Sequence, residues 1–402
     1  MKKILILAVI TAGLLTLLPG CSSNKDKALI ITGQGTYDWQ ASYPVLKTIL
    51  DETGLFKTDV AVTPEKGGDM SKFNPNFSKY KLVVLDYTGD SWSDETKKEF
   101  VDYVSNGGGV VVYHESALAF PDWPEYNEII GLGGGSGSYV YYNRDNLVID
   151  DTSSGPAGAV NSPREYDLTT RNMEHPVMKG LPGRWMHATD EMLTKMRGPA
   201  RNMEILATAN SDTMPRMRFG RGGGRLSKDE PLLMAITYGQ GRIFSTLLGA
   251  AKDGAGPAMQ CTGFIITFQR GAEWAATGEV TQSIPFDFPT AAGVMLRADF
   301  KALTVDDDFR NIVNYDIEKS TKYIVDIQNR IRQAAGDPAK LLEIEKMMVG
   351  VLKDKDATAD SKKLILRELS WMGSGYCIPA IEALADNPDL KDEAGYALER
   401  LK

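Results

Sequence analysis

The segment GGGVVVYHESALAFPDW, Gly107 to Trp123, passes from a glycine turn through an apolar, β-branched run into His114 and Glu115. A histidine followed by a carboxylate where a strand stops places proton-carrying groups at the end of a rigid element. Such an imidazole can move a proton near neutral pH or bind a metal. A strand that ends at Tyr113 and turns sharply would present His114 at a tip facing solvent in a cleft, as at a nucleophile elbow. The glycine-flanked serine or cysteine of that elbow is missing, so acyl-enzyme chemistry has little support.

The second group is His187-Ala188-Thr189-Asp190-Glu191-Met192. Its spacing fits a helix, on which Asp190 and Glu191 would pair with His187 from one turn away. These residues could orient the histidine as a base, join His114 as nitrogen and oxygen ligands to a divalent metal, or cap a helix start. No cofactor is demanded by the pattern, and a divalent metal is compatible with it. His175, before a proline in EHPVMKGLP, reads as a turn residue. The glycine runs Gly131 to Gly137 and Gly222 to Gly224 do not lead from a strand into a helix, which argues against a phosphate cradle. Arg216, Arg218, Arg221 and Arg225 around the second run read as a solvated hairpin.

The elements that must position these groups follow from hydrophobic period. ALIITG (Ala28 to Gly33), TDVAV (Thr58 to Val62), KLVVLDY (Lys81 to Tyr87) and GVVVY (Gly109 to Tyr113) read as strands. Trp39 to Thr53 and Ser93 to Ser105 carry helical period between them. Alternating strand and helix predicts an α/β fold with a doubly wound, mostly parallel sheet, flavodoxin-like in type. After Gly109 to Tyr113 a long excursion is expected, followed by EILATA (Glu204 to Ala209), a hairpin within Pro231 to Gly249, and an apolar helix from Met259 to Thr277.

Ligands of such sheets bind outside the carboxyl ends of the strands. Gln34, Tyr37, Trp39, Asp86, Tyr87, Asp90 and Tyr113 stand at or near those ends and are the candidate substrate contacts, beside His114 and Glu115. The aromatics there, with Trp92, Phe120 and Trp123, have apolar faces and polar edges that suit a sugar, although several must be core.

IPFDFPT (Ile284 to Thr290) reads as a linker, and the chain beyond it is helical. Asp337-Pro338 is a cap with a first-turn proline; Ala359 to Met372, Cys377 to Ala385 and Asp389 to Leu401 are further helices with short connections, as in HEAT-type repeats. The divisions are therefore a leader at 1–20, a tether at 21–27, an α/β domain at 28–283, a linker at 284–302 and an all-α domain at 303–402. That last domain could dock a protein partner.

The leader has a basic start and an apolar run too short to span a bilayer comfortably. Leu18-Pro19-Gly20-Cys21 resembles a bacterial lipobox, which implies lipidation at Cys21 and anchoring to the cell envelope, with Ser22 pointing to the outer membrane of a Gram-negative cell. The chain has 402 residues and a net charge of −8, a poor balance for binding nucleic acid. Cys261 and Cys377, each among apolar residues, read as buried free thiols.

Taken together, DYTGDSW, GGGVVVYH, FPDWPEYNEIIGLGG, EHPVMKGLPGRWMHATDEM, YGQGRIFSTLLG and GFIITFQRGAEWAATGEVTQSIPFDFPT resemble the trehalose-utilisation ThuA-like domains over about Lys27 to Thr290. The fold of that family is similar to class I glutamine amidotransferases. His114 holds the place of the amidotransferase cysteine, which implies that glutaminase activity is absent. The resemblance implies carbohydrate metabolism on a small-molecule sugar, a glycoside or a 3-keto-sugar, through acid/base work by His114 with Glu115, His187, Asp190 and Glu191. The chain departs from the family in carrying HESALAF for HAADNAF, VNSPREYDL where histidines usually occur, and Gly249-Ala250-Ala251 for GHD. Those changes remove metal ligands or proton carriers, and a non-catalytic sugar-binding module is the alternative expectation. Arg164, within VNSPREYDL, is a further candidate sugar contact.

Overall fold

In a computed structural model of the chain, residues 25–211, 228–252, 254–285, 287–301, 309, 312–315 and 322–401 are described. Cys21, the leader and the arginines at 216, 218, 221 and 225 lie outside them. The chain order is β1 (Asp26–Thr32), α1 (Trp39–Glu52), β2 (Phe56–Val62), β3 (Leu82–Leu85), α2 (Asp94–Ser105), β4 (Gly109–Tyr113) and α3 (Pro124–Ile130). Then come β5 (Ser138–Tyr142), β6 (Val148–Asp151), β7 (Ala159–Thr170), β8 (Arg184–Thr194), β9 (Arg197–Gly198), β10 (Met203–Asn210), β11 (Asp229–Tyr238), β12 (Gly241–Thr246), α4 (Pro257–Gln260) and α5 (Thr262–Thr277). The helices start where their caps dictate. Asp38 accepts the Ala41 amide before α1, and Ser93 accepts the Thr96 amide before α2, whose first turn carries Asp94 and Glu95 against the helix dipole.

The main path of the sheet is β2-β1-β3-β4-β12-β11-β10-β7-β8. Its first five strands are parallel and the remainder pair antiparallel, so a mostly parallel centre continues into an antiparallel wing. Val110, Val111 and Val112 are fully buried in β4, as continuous β-branched runs in a covered parallel sheet should be; each contributes about 1.5–3 kcal/mol by burial. Helices α1 and α5 contact each other and pack against the parallel strands.

The stretch expected to be an irregular excursion is strand-rich. In β7, buried and exposed positions are mixed and only Tyr166 and Leu168 are fully enclosed, so this half-solvated strand lacks the apolar run that marks β1, β3 and β4 in the sequence. The helix expected from Met259 to Thr277 is also broken, because Cys261 sits between α4 and α5 with extended backbone (φ −60°, ψ 120°).

Beyond α5 the chain stays pinned. Phe288 lies edge-on to Trp185, 5.3 Å between ring centroids, and Asp287 and Arg297 form a bidentate ion pair with both bonds at 2.7 Å and almost no solvent exposure. A second hydrophobic cluster begins at Met295 and gathers the helical tail: α6 (Lys322–Gln333), α7 (Pro338–Lys353), α8 (Ala359–Met372), α9 (Ile378–Glu382) and α10 (Lys391–Leu401). Asp337 caps α7 through the Lys340 amide with Pro338 in its first turn. Among the described residues no helix is long and apolar enough to cross a membrane.

Candidate functional site

His114 follows directly on β4 and begins a short 3-10 turn, His114–Leu118. Its φ of +45° lies in the left-handed region, a conformation that costs a non-glycine residue about 1–3 kcal/mol and persists where surrounding structure imposes it. The sharp strand-to-helix turn expected from the sequence is present. The solvent-facing tip is not: the residue is only 1% exposed, because the Tyr37 ring stands edge-on to the imidazole at 4.7 Å. Burial lowers the His114 pKa, against the pull of Asp190, Glu115 and Glu191, so the ring is held neutral. Its Nε2 is buried and has no hydrogen-bond partner among the described residues.

Tyr37 is held over His114 from two sides. Its backbone amide and that of Thr36 donate to the Glu115 carboxylate at 3.1 and 3.0 Å, with the Thr36 hydroxyl at 2.5 Å. Gly35 is required beside them, since a Cβ there would lie 2.4 Å from Glu115 Oε1. Glu115 thus ties the β1–α1 loop to the end of β4, and its carboxylate is occupied by that work. The Tyr37 hydroxyl donates to Glu191 Oε2 at 2.7 Å, and Glu191 Oε1 accepts from Lys252 Nζ at 2.6 Å. Burial and the Glu191 carboxylate raise the Tyr37 pKa, which keeps the phenol protonated. Lys252 is the exposed end of this chain, its side chain 61% accessible against 6% for Glu191.

His187, Asp190 and Glu191 lie on β8, not on the helix that their spacing suggested. On a regular strand, residues three apart face opposite sides. Here Tyr166 pairs with His187 and Arg164 with Asp190, so β8 carries one residue more than β7 between those rungs. This bulge brings the two side chains together. His187 Nε2 meets Asp190 Oδ2 at 2.8 Å. Asp190 also accepts the Gly249 amide at 2.8 Å and the Ala250 amide at 3.1 Å, which fixes the loop after β12. Gly249 has φ +89°, and a Cβ there would meet the Phe264 ring at 2.7 Å.

With amides on both of its oxygens Asp190 acts as an acceptor, so His187 donates through Nε2 and its Nδ1 is left as the basic nitrogen. Nδ1 has no hydrogen-bond partner among the described residues. Burial opposes a charge on His187; Cys261 and Asp190 outweigh it and raise the pKa. Burial would likewise raise the Cys261 thiol, yet His187 with the Ala188 and Phe264 amides brings it below the ordinary value.

The structure therefore brings together Tyr37, His114, Glu115, His187, Asp190 and Glu191, and adds Lys252 and Cys261, which the sequence reading passed over. Lys252 was signalled only by lying after a central strand. Cys261 meets His187 through tertiary packing that no local pattern records. The other candidates are occupied elsewhere. Gln34 bridges the Pro64 carbonyl and the Asp90 amide, and Asp90 accepts the Gly67 amide. Tyr87 donates to the Asp90 carbonyl and Tyr113 to the Gly249 carbonyl. Asp86 is buried against Ser42 at 2.6 Å, and burial pushes its pKa up to about 7. Tyr87, Trp92, Phe120 and Trp123 are mutually packed core aromatics, which corrects their reading as a sugar platform. Trp39 stacks on Tyr43. Arg164 donates to the Asn210 carbonyl and lies over the Tyr166 ring. His175 serves its turn, with Nδ1 accepting the Val177 amide.

Among the described residues no group of three or more His, Cys, Asp or Glu side chains is arranged to hold a metal ion. A cleft of about 790 Å³ is lined by residues such as Asn74, Tyr80, Lys81, Tyr103 and Gly108. It opens at the amino ends of β3 and β4, away from the histidines, and its lining carries no comparable acid/base set. The acid/base side chains gather instead at the carboxyl ends, where open parallel sheets place their ligands.

Comparison with known proteins places the chain in a family. The family described as trehalose utilisation, ThuA, matches residues 27–275. A ThuA-like protein from Parabacteroides merdae ATCC 43184, solved by crystallography, is 48% identical with a TM-score of 0.64, over 69% of this chain and 100% of that one. A ThuA-like protein from Bacteroides uniformis ATCC 8492 is 17% identical with a TM-score of 0.40, over 65% and 98%. None of the curated proteins matches the chain.

Proposed function

The chain belongs to the ThuA trehalose-utilisation family, which suggests a role in carbohydrate utilisation, and from that premise we propose that it acts on a glycoside or 3-keto-sugar with His114 as the acid/base. One observation carries the reading. His114 is a neutral imidazole in a strained turn at the carboxyl edge of the sheet, with a buried Nε2 that has no hydrogen-bond partner among the described residues. A ketone acidifies the neighbouring C–H, so a neutral imidazole can remove that proton. The enolate then either expels a substituent β to the carbonyl, or passes the neighbouring hydroxyl's proton to the former carbonyl oxygen and takes the proton back at the former carbonyl carbon, giving elimination or isomerisation. Tyr37 covers the ring, so the substrate enters when the β1–α1 loop swings out and the Tyr37–Glu191–Lys252 chain opens. The lipobox-like Leu18-Pro19-Gly20-Cys21 supports a lipid anchor on the cell envelope as part of this proposal.

A second reading, sugar binding without turnover, is favoured by the internal engagement of Glu115, Asp86 and Gln34, which leaves few carboxylates and amides free for catalysis. NMR of native and 3-keto disaccharides with the mature chain separates the two. Turnover that disappears in His114→Ala supports the enzyme reading, and turnover that survives the substitution refutes the role of His114. Line-broadening of the sugar without product supports binding.

A further inference from the structure

The cleft of about 790 Å³ at the amino edge of the sheet is bounded by the 3-10 turn Phe77–Lys79, by α2 and by the Gly107-Gly108 turn that leads into β4. The five residues of β4, about 17 Å at ~3.3 Å each, separate it from His114. Its base is aromatic and fixed. Phe77 is buried, with its ring centroid 5.9 Å from that of Tyr103. The Tyr103 hydroxyl donates to the Gly109 carbonyl at 2.9 Å, and Gly108 lies so close to the Tyr103 ring that a Cβ there would come within 2.4 Å of it. Tyr80, half-buried, donates its hydroxyl to Asp59 Oδ2 at 3.2 Å. These rings therefore need no ordering when a ligand arrives. Around them stand Asn74, Lys81 and Glu99, all exposed, whose side chains make no hydrogen bond or ion pair among the described residues. Asp102, also in the lining, is paired with Lys98 at 2.6 Å.

We propose that this cleft is a second, non-catalytic site that binds a neutral di- or oligosaccharide. Its volume falls within the ~300–1,000 Å³ of small-molecule sites. A pyranose has an apolar C–H face, which suits a tyrosine ring, and a rim of hydroxyls that both donate and accept. The lining offers both kinds of partner: the Asn74 amide donates and accepts, the Glu99 carboxylate accepts and the Lys81 ammonium donates. Charge selects against other ligands. With Asp102 neutralised by Lys98, Lys81 and Glu99 balance each other, so the cleft has no excess charge to attract an anion or a cation. An apolar ligand would strip water from the amide and the two charges without replacing their hydrogen bonds. The carbohydrate class rests on the family reading above; the position of the cleft and the chemistry of its lining do not depend on His114.

The test titrates the ¹⁵N-labelled mature chain with trehalose, maltotriose and cellotriose and follows its backbone amides by NMR. At least one saccharide should give saturable shifts at Gly107, Gly108 and the 74–81 segment. The double variant Asn74→Ala, Glu99→Ala changes two exposed side chains that have no partner in the fold, so it should remain folded while its Kd rises at least about tenfold. His114→Ala, at the other end of β4, should leave the Kd within about twofold. Absence of saturable shifts in the cleft with all three saccharides overturns the proposal, as do shifts confined to the His114 edge or a double variant that binds like the wild type. A stronger response of the same amides to inorganic phosphate overturns the neutral-ligand assignment. Cleft binding without sugar turnover would sink the acid/base reading alone; turnover without cleft binding would sink this one alone.

Discussion

Replacing Asp190 by asparagine removes one acceptor from a group that has three donors aimed at it. Oδ2 takes His187 Nε2 and the Gly249 amide, and Oδ1 takes the Ala250 amide. In the milder orientation the asparagine oxygen replaces Oδ2, and its NH2 faces the Ala250 N–H. That leaves a buried donor unpaired, which costs about 1–3 kcal/mol, and removes the charge assistance from the other two bonds, about 1 kcal/mol more. The residue is almost fully buried, so solvent does not screen the loss. A destabilisation of about 2–4 kcal/mol corresponds to roughly 6–12 °C in the unfolding midpoint of a domain this size. Near-UV circular dichroism during thermal and urea unfolding reads it. A double-mutant cycle with His187→Gln should return a coupling energy above about 1 kcal/mol, since the two side chains share a bond. A loss below about 1 kcal/mol with no coupling would refute the claim that this carboxylate holds the loop after β12.

Asp86→Asn tests the buried carboxyl at the end of β3. With a folded pKa of about 7 against an ordinary 3.8, the native state keeps a proton that the unfolded chain has released, so the wild type loses stability as pH rises from about 4 to about 7. The variant escapes that loss, and its advantage should grow over this window to the order of a few kcal/mol; a difference that does not vary with pH would exclude the mechanism. Glu115→Gln leaves one of the Thr36 or Tyr37 donors unmatched and should cost about 1–3 kcal/mol while raising hydrogen exchange in the β1–α1 loop; unchanged exchange would contradict its bracing role. Lys252→Ala removes an exposed partner of Glu191, so stability should change by less than about 1 kcal/mol. Tyr37 fluorescence quenching by acrylamide should nonetheless increase, and equal quenching would show that Lys252 does not hold the phenol closed.

The parallel half of the fold could be read from the chain because β1, β3 and β4 are buried on both faces and so appear as unbroken apolar runs. Asp38 and Ser93 mark their helices by side-chain chemistry that acts locally. In the wing, β10 and the β11–β12 hairpin were legible in EILATA and the run Pro231 to Gly249, but β7 had no such signal. In β7 the partners that complete each residue's burial come from β8 and β10, and a strand stabilised from outside need not declare itself in its own period. The break at Cys261 was hidden for the opposite reason, since the residues from Met259 to Thr277 are almost all buried and an apolar run gives no hint of where its backbone departs from helix.

Among the site residues, the pair His187 and Asp190 separates composition from geometry. Their spacing suggested a helix because three residues make nearly one turn, and the expected contact does form. It forms for another reason: the extra residue of β8 reverses the alternation of the strand between two rungs, which a regular strand would never do for positions three apart. A reading confined to periodicity has only the two regular solutions, of which the helix alone allows the contact, so it chose the wrong element. The consequence for chemistry is direct. On a helix both carboxylates would have crowded His187, whereas the strand sends Asp190 inward to His187 and sends Glu191 to Tyr37 and Lys252. One short segment thereby serves two histidines, pinning the tyrosine that covers the first and giving the second a carboxylate on one nitrogen.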